Sequence, residues 1–541
     1  MVATGSRSLE VLLIGVDACC HRVLAPLIEE DRVPHLQSII EDGISDQLIS
    51  QVPPWTASAW PTIYTGTNPG KHGVFDFLTY DGYDWGVVDA RCVREHAIWE
   101  LLDHHNRSSV VVNVPVTHPP SAFNGALLPG FTAPADPSCH PTGLLDNVRS
   151  AIGDYRVYPT PGDDLDHVPE YLECIQMRGE AFRYLVEKYD PDFGFLQFQA
   201  TDTVFHQYSH EETDVIAAVY EAVDAEIGRT LAQVDPSMIM IIGDHGIGPY
   251  RGTEFRVNEF LSEHGYLETS RGGKGMPSWQ LMRDQRLRKG DEETSRELTH
   301  TERLVGVAAR AGLTTTHIRR MLERVHLDGL ARRHAPAGVV RVSDRQVDFP
   351  NSMAYMRSRV ETGIRMNVEG RDPAGKIDPA EYESVRASLI DLLEDVQSPS
   401  GDPIFESVDP VESHFSGPFV EQAVDIVTVP NNWDHFLSAQ LPGDCFGEPA
   451  EPWNHKLETL IAATGSGIDA RETLAGAHIR DIAPTILAAL GIPISDRMDG
   501  RSLPIVDTTE TMTYPTYDGK QSVGSADRDV ERRLAALGYL D

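Results

Sequence analysis

Seven residues spread along the chain carry side chains that could work together: Asp17, Thr56, Asp202, His206, Asp244, His245 and His455. They make up three carboxylates, three imidazoles and one hydroxyl. This is about the inventory that two divalent ions need. One ion held by a carboxylate and two imidazoles keeps an open position, and a second held by two carboxylates, an imidazole and a hydroxyl oxygen turns that hydroxyl into a nucleophile. Each residue also has an ordinary reading. Thr56 could be a helix N-cap and Asp17 the cap of a following helix. Asp202 and His206 could be a surface pair one helical turn apart, and Asp244-His245 a turn.

The elements around these residues put the acids at the ends of buried strands. Val11–Val16 (VLLIGV) is a continuous apolar run that ends at Asp17, as a buried parallel strand would. Phe193–Phe198 reads the same way and is followed at once by Asp202 and His206, which share a face if the chain turns helical there. Met238–Ile242 is a third such run and ends in Gly243-Asp244-His245-Gly246, where glycine lets the backbone approach closely. Open α/β sheets hold their sites at the carboxyl ends of such strands. Thr56 lies in VPPWTASAWPTIYTGTNPGKHGVFDF, residues 52–77. Pro53 and Pro54 fix an extended entry, and a helical run begins near Thr56. A hydroxyl at a helix mouth sits where backbone N–H groups favour an anion. Gly66, Pro69, Gly70 and Gly73 predict a tight ordered loop, within which Lys71 and His72 are expected to contact substrate.

The expected fold is α/β, with a mostly parallel central sheet flanked by helices on both faces. Helices are predicted over about 23–41, 170–188, 213–233, 379–396 and 481–490. Further strands are predicted over 109–114, 364–368 and 424–429, and 119–165 reads as a long ordered loop. His455 is placed in a late Pro- and Gly-rich loop. Residues 271–340 carry 14 Lys plus Arg against 8 Asp plus Glu, with helical patterns near 299–311 and 315–330. The expected organisation is a first core part at 1–268, a helical, locally basic cap insertion at 269–342, and a second core part at 343–541 that ends in an amphipathic helix over 527–539.

A net charge of −36 over 541 residues argues against nucleic acid polymers and anionic membranes as partners. Seven of the 46 basic residues are Lys, a balance resembling that of proteins adapted to high salt. The six cysteines form no CxxC pair, and Cys19 and Cys20 are adjacent, which fits a reduced cytoplasm. No apolar run reaches the length of a membrane span. The expectation is a soluble cytoplasmic protein with a small-molecule substrate.

Taken in order, Asp17 at a strand end, Thr56…TG…PG.HG, D202…H206, DHG at 244–246 and the late His455 resemble the alkaline phosphatase superfamily, and within it the type I phosphodiesterase/nucleotide pyrophosphatase branch. The segments NVPVTHPP, DIAPTILAALGIP, MDGRSL and RRLAALGYL resemble those of prokaryotic phosphohydrolase and phosphomutase-like members. The resemblance spans nearly all of the chain except about 270–340. It implies two divalent ions, expected to be zinc with manganese as the alternative. Asp202, His206 and His455 would hold one ion, and Asp17, Thr56, Asp244 and His245 the other. Thr56 would attack phosphorus and form a phosphothreonyl intermediate. The implied reaction is hydrolysis of phosphate esters, with phosphodiester or nucleotide pyrophosphate bonds first.

One departure stands out. Where the nucleotide pyrophosphatases carry an Asn after the HG to bind a phosphate oxygen, this chain has Phe77. Asn113, at a neighbouring strand end, is expected to supply the missing donor. A phosphomutase or phosphomonoesterase of the same superfamily is the nearest rival, and a non-catalytic metal-binding module is the rival from another class. A sulfatase does not fit, because Thr56-Ala-Ser-Ala lacks the Cys or Ser context of that nucleophile.

Overall fold

The computed structural model describes residues 9–159, 167–209, 211–270 and 345–517. The cap insertion, the helices expected near 299–311 and 315–330, and the C-terminal helix therefore lie outside the described residues.

The centre is a seven-stranded sheet. Its strands are β1 (Val11–Val16), β2 (Ile44–Ile49), β3 (Ser109–Val112), β4 (Gly125–Leu128), β5 (Phe193–Phe198), β6 (Met238–Ile242) and, late in the chain, Glu458–Gly465. Three further strands used below precede that last strand: β7 (Gly246–Pro249), β8 (Ile426–Pro430) and β9 (Trp453–Lys456). With Glu458–Gly465 as β10, the sheet order is β2-β10-β6-β1-β5-β3-β4. The run from β6 to β4 is parallel, and β10 is antiparallel to β6. This is a mainly parallel sheet, as the apolar runs predict.

Strand alternation divides the interior in two. Val11 and Leu13 of β1 and Phe193 and Phe195 of β5 pack on the face covered by α3 (Thr56–Thr65) and the helix Ile482–Ala489. Leu12, Ile14 and Val16, with Leu196 and Phe198, face the opposite helices. These are α1 (His21–Glu29), α2 (Pro34–Asp42), α4 (Val168–Tyr189) and α6 (Thr213–Val234), with α5 (Ala200–Gln207) closing the top. Helices thus flank both faces. Gly15 allows the α3 side its close fit, since a Cβ there would lie 2.3 Å from the Trp60 ring. A third apolar cluster forms around a smaller sheet that contains Gly363–Met366, β8 and Phe405–Pro410, backed by the helix Tyr382–Glu394.

Four local expectations change. The helix expected over 23–41 is two helices, because Pro34 lacks the N–H that would continue the first and instead begins the second. The 119–165 loop contains β4 and the helix Leu144–Ile152; β4 is a four-residue edge strand, too short to show a period. The Gly-rich loop after α3 holds a helical turn at Pro69–His72, capped by the Asn68 side chain. His455 is on a strand, β9, which pairs antiparallel with β7 and sets His455 opposite Ile247.

The ends of the undescribed 271–344 segment meet: Thr269–Ser270 pairs antiparallel with Gln346–Val347.

Candidate active site

The ends of β1, β5 and β6 converge beside the first turn of α3. Thr56 is the first residue of α3, and Trp55 holds the cap position. The Thr56 hydroxyl does not cap its own helix; its Oγ1 lies 3.1 Å from His245 Nε2. That nitrogen is also 3.4 Å from Asp17 Oδ1 and 3.3 Å from Asp244 Oδ2. On the other side, His206 Nε2 is 3.2 Å from His455 Nε2, and Asp202 reaches both rings, at 3.4 Å and 3.3 Å. The two groups touch, because the His245 and His455 rings stack with centroids 3.7 Å apart. Asp17, Thr56, Asp202, Asp244 and His245 are fully buried and His455 nearly so.

These donors fit metal ions. Asp202, His206 and His455 form one group and Asp17, Asp244 and His245 another, each with ligand atoms within 4.8 Å of one another. In both carboxylates of the second group, one oxygen is held and the other left bare. Asp17 Oδ2 accepts from Gln197 Nε2 at 2.9 Å and from Trp60 Nε1 at 3.3 Å, while Oδ1 accepts no hydrogen bond. Asp244 Oδ1 accepts from the Ala18 amide at 3.3 Å, while Oδ2 accepts none. The histidines are anchored by their far nitrogens. His245 Nδ1 donates to Gly246 O at 3.0 Å and His455 Nδ1 to Pro54 O at 2.8 Å, which leaves each Nε2 as a lone pair facing the cluster.

The charges make the same point. Burial first, and then Asp244, pushes the Asp17 carboxyl well above its usual range. Burial and Asp202 likewise raise Asp244. Burial and the neighbouring His455 hold His245 well below the usual imidazole value, hence neutral. Burial works against ionised Asp202, but His206 and His455 override it and hold the carboxyl low. Three buried acids and three imidazoles around one point lack a positive charge that a divalent ion supplies.

Beyond this cluster, Glu451 Oε2 lies 3.5 Å from His206 Nδ1. Arg359 grips Glu451 with both guanidinium nitrogens, at 2.6 Å and 3.3 Å. Burial favours protonating Glu451, but Arg359 and His206 hold its carboxyl at about 2. A carboxylate behind a ligand imidazole fixes the ring and raises its basicity. Glu451→Gln is therefore expected to weaken metal affinity roughly tenfold to a hundredfold, read by titration against a chromophoric chelator. β9 adds a second support. His455 faces the cluster, while Asn454 Nδ2 and Lys456 Nζ, pointing the other way, donate to the Trp433 carbonyl at 2.7 Å and 2.8 Å.

The remaining predicted residues are engaged with partners outside the seven. Lys71 Nζ pairs with Asp499 at 2.6 Å and donates to the Arg497 carbonyl. His72 is buried behind α3, with Nε2 2.9 Å from Thr62 Oγ1. Asn113 commits its amide to Gln197, donating to the side-chain oxygen at 2.6 Å and to the backbone carbonyl at 3.2 Å. Sequence reading missed Trp60, Gln197 and Glu451. Trp60 follows Thr56 by four residues, and Gln197 is a polar residue in an otherwise apolar strand; both are visible signals. Glu451 leaves none, since an acid in a Pro-rich loop is ordinary.

The family model for type I phosphodiesterase / nucleotide pyrophosphatase matches residues 11–444. The chain belongs to that family. Among solved structures, the alkaline phosphatase PafA is 14% identical, with a TM-score of 0.52 over 93% of this chain and 99% of that one. Phosphonoacetate hydrolase from Sinorhizobium meliloti 1021, in complex with phosphonoformate, is 14% identical, with a TM-score of 0.50 over 88% of this chain and 95% of that one. At such identity these show the fold alone, an alkaline-phosphatase-like α/β sheet. No curated protein matches the sequence. The protein is a phosphoester hydrolase of a metal-dependent family. Among the described residues no helix is long and apolar enough to cross a membrane.

Proposed function

We propose that the protein hydrolyses phosphodiester or nucleotide pyrophosphate bonds of a small molecule, using Thr56 as nucleophile and two divalent ions, with zinc first and manganese as the alternative. The observation that carries this reading is the Thr56 hydroxyl at a helix mouth, 3.1 Å from His245 Nε2 and beside two bare carboxylate oxygens. Asp202, His206 and His455 would hold one ion; Asp17, Asp244 and His245, with Thr56, the other. Bound ions lower the pKa of a hydroxyl and offset charge on phosphoryl oxygens.

The chain's own part is positional. Trp60 and Gln197 fix Asp17, Pro54 fixes His455, and α3 presents Thr56 with the positive end of its dipole toward an anion. The Thr56 oxygen would attack phosphorus, the bond to the leaving group would break, and the hydroxyl proton would end on the departing oxygen, an alkoxide from a diester or a phosphate from a pyrophosphate. Water then cleaves the Oγ1–phosphorus bond, which restores Thr56 and releases the phosphate product.

The test compares bis-p-nitrophenyl phosphate with p-nitrophenyl phosphate as substrates of the purified protein, with zinc or manganese added. Faster diester cleavage is expected. Faster monoester cleavage would replace this reading with a monoesterase or mutase.

A further inference from the structure

We propose that Gln199 binds the substrate, its side-chain amide donating to a non-bridging oxygen of the phosphoryl group; this rests on the phosphoester reading above. Gln199 directly follows β5 and precedes Asp202 by three residues. Its backbone carbonyl accepts from the amides of Asp202 and Thr203 at 3.1 Å and 3.3 Å, so the residue is locked to the start of α5. The residue is 7% exposed. Its Nε2 is buried and makes no hydrogen bond, which leaves two N–H donors unused. Buried donors are rarely left so, because an unpaired one loses its hydration without compensation.

The orientation of that amide follows from groups whose chemistry allows one choice. The main-chain carbonyl of Gln197 can only accept, so the Asn113 atom 3.2 Å from it is the donor nitrogen. The same nitrogen meets the Gln197 side chain at 2.6 Å, so that atom is Gln197 Oε1. Gln197 Nε2 then points at Asp17 Oδ2, 2.9 Å away, which as a carboxylate oxygen accepts. The Gln199 atom 3.5 Å from Gln197 Nε2 must be the acceptor Oε1, which leaves Gln199 Nε2 as the unengaged end. Asn113, whose donor is spent on this relay, is thus a positioning residue, and the free donor appears one link further on.

Location agrees with chemistry. Gln197 and Gln199 lie two residues apart and, as their contact shows, on one side of the sheet. It is the side on which Trp60, one turn after Thr56 in α3, donates to the same Asp17 oxygen. Gln199 is therefore linked to Asp17 through the Gln197 side chain and to Asp202 through its own backbone carbonyl. A donor there suits a phosphoryl oxygen and does not suit a cation.

The experiment measures inorganic phosphate binding by calorimetry on zinc-loaded wild type, Gln199→Glu and Gln199→Met, with zinc content determined by mass spectrometry and bis-p-nitrophenyl phosphate turnover followed alongside. Both variants are expected to keep the wild-type zinc content and to bind phosphate roughly ten- to a hundredfold more weakly, the range for hydrogen bonds to charged groups. Gln199→Glu, isosteric but an acceptor, should be the weaker binder. Gln199→Met carries the test if the carboxylate disturbs folding. Phosphate affinity within twofold of wild type in both variants, with turnover by wild type intact, would overturn the Gln199 assignment alone. Zinc lost in step with phosphate would overturn it too, by showing that Gln199 acts through the ion sites. Wild type that neither binds phosphate nor cleaves the diester would remove the phosphoester reading and this assignment together.

Discussion

Thr56→Ala is expected to lose phosphoester turnover by a factor on the order of 10⁴ or more, while the protein stays folded. The loss is expected to be large because, among the described residues of α3, Ser58 is committed to the Val74 carbonyl at 2.8 Å and Thr62, beside His72, lies more than a turn further along. The fold survives because Ala keeps the helix start, and the lost Oγ1 contact to His245 is worth about 1 kcal/mol. The check pairs the rate on bis-p-nitrophenyl phosphate with a thermal melt. Turnover within tenfold of wild type, in an Ala variant that melts normally, would remove Thr56 as nucleophile. Thr56→Ser should recover part of the rate, since the attacking atom returns.

Chelation is expected to act on both activity and stability. Asp17, Asp202 and Asp244 are all fully buried, and His245 beside them is held neutral by burial and His455. Any ion that binds this cluster in the folded chain and not in the unfolded one stabilises the fold, by about 4 kcal/mol at a thousandfold excess over its dissociation constant. Dialysis against a strong chelator should therefore abolish turnover and lower the melting temperature, and zinc or manganese should restore both. A chelated protein that keeps its rate and its melting temperature would exclude ions from both roles.

Much of this site was legible in the sequence, for a physical reason. Parallel strands covered on both faces are written as unbroken apolar runs, so Asp17, Asp202 and Asp244 stand out where those runs stop. His206 and His245 follow within four residues of an acid, and local spacing carries them. His455 was legible as a residue type but not in its setting, because WNHK holds one apolar residue and its pairing partner, β7, lies some two hundred residues earlier. Glu451 and Gln199 were out of reach for the same kind of reason. Glu451 matters through Arg359, ninety-two residues away, and Gln199 through a relay that begins at Asn113. Asn113 itself shows the limit of reading strand ends: its position was recognised, but only a three-dimensional neighbour decides which way an amide spends its donor.

The pairing of Thr269–Ser270 with Gln346–Val347 has a meaning for how this chain can change over generations. Two antiparallel neighbours close the gap between the halves of the core before the intervening sequence is counted. Loop closure costs only about 0.6 kcal/mol for each doubling of length, so the core is nearly indifferent to how much sequence is threaded through that junction. Sequence entering at that junction can be lengthened, shortened or exchanged by recombination while the strand ends that hold Asp17, Asp202 and Asp244 keep their register. Such a junction lets inserted sequence change at a different tempo from the chemistry.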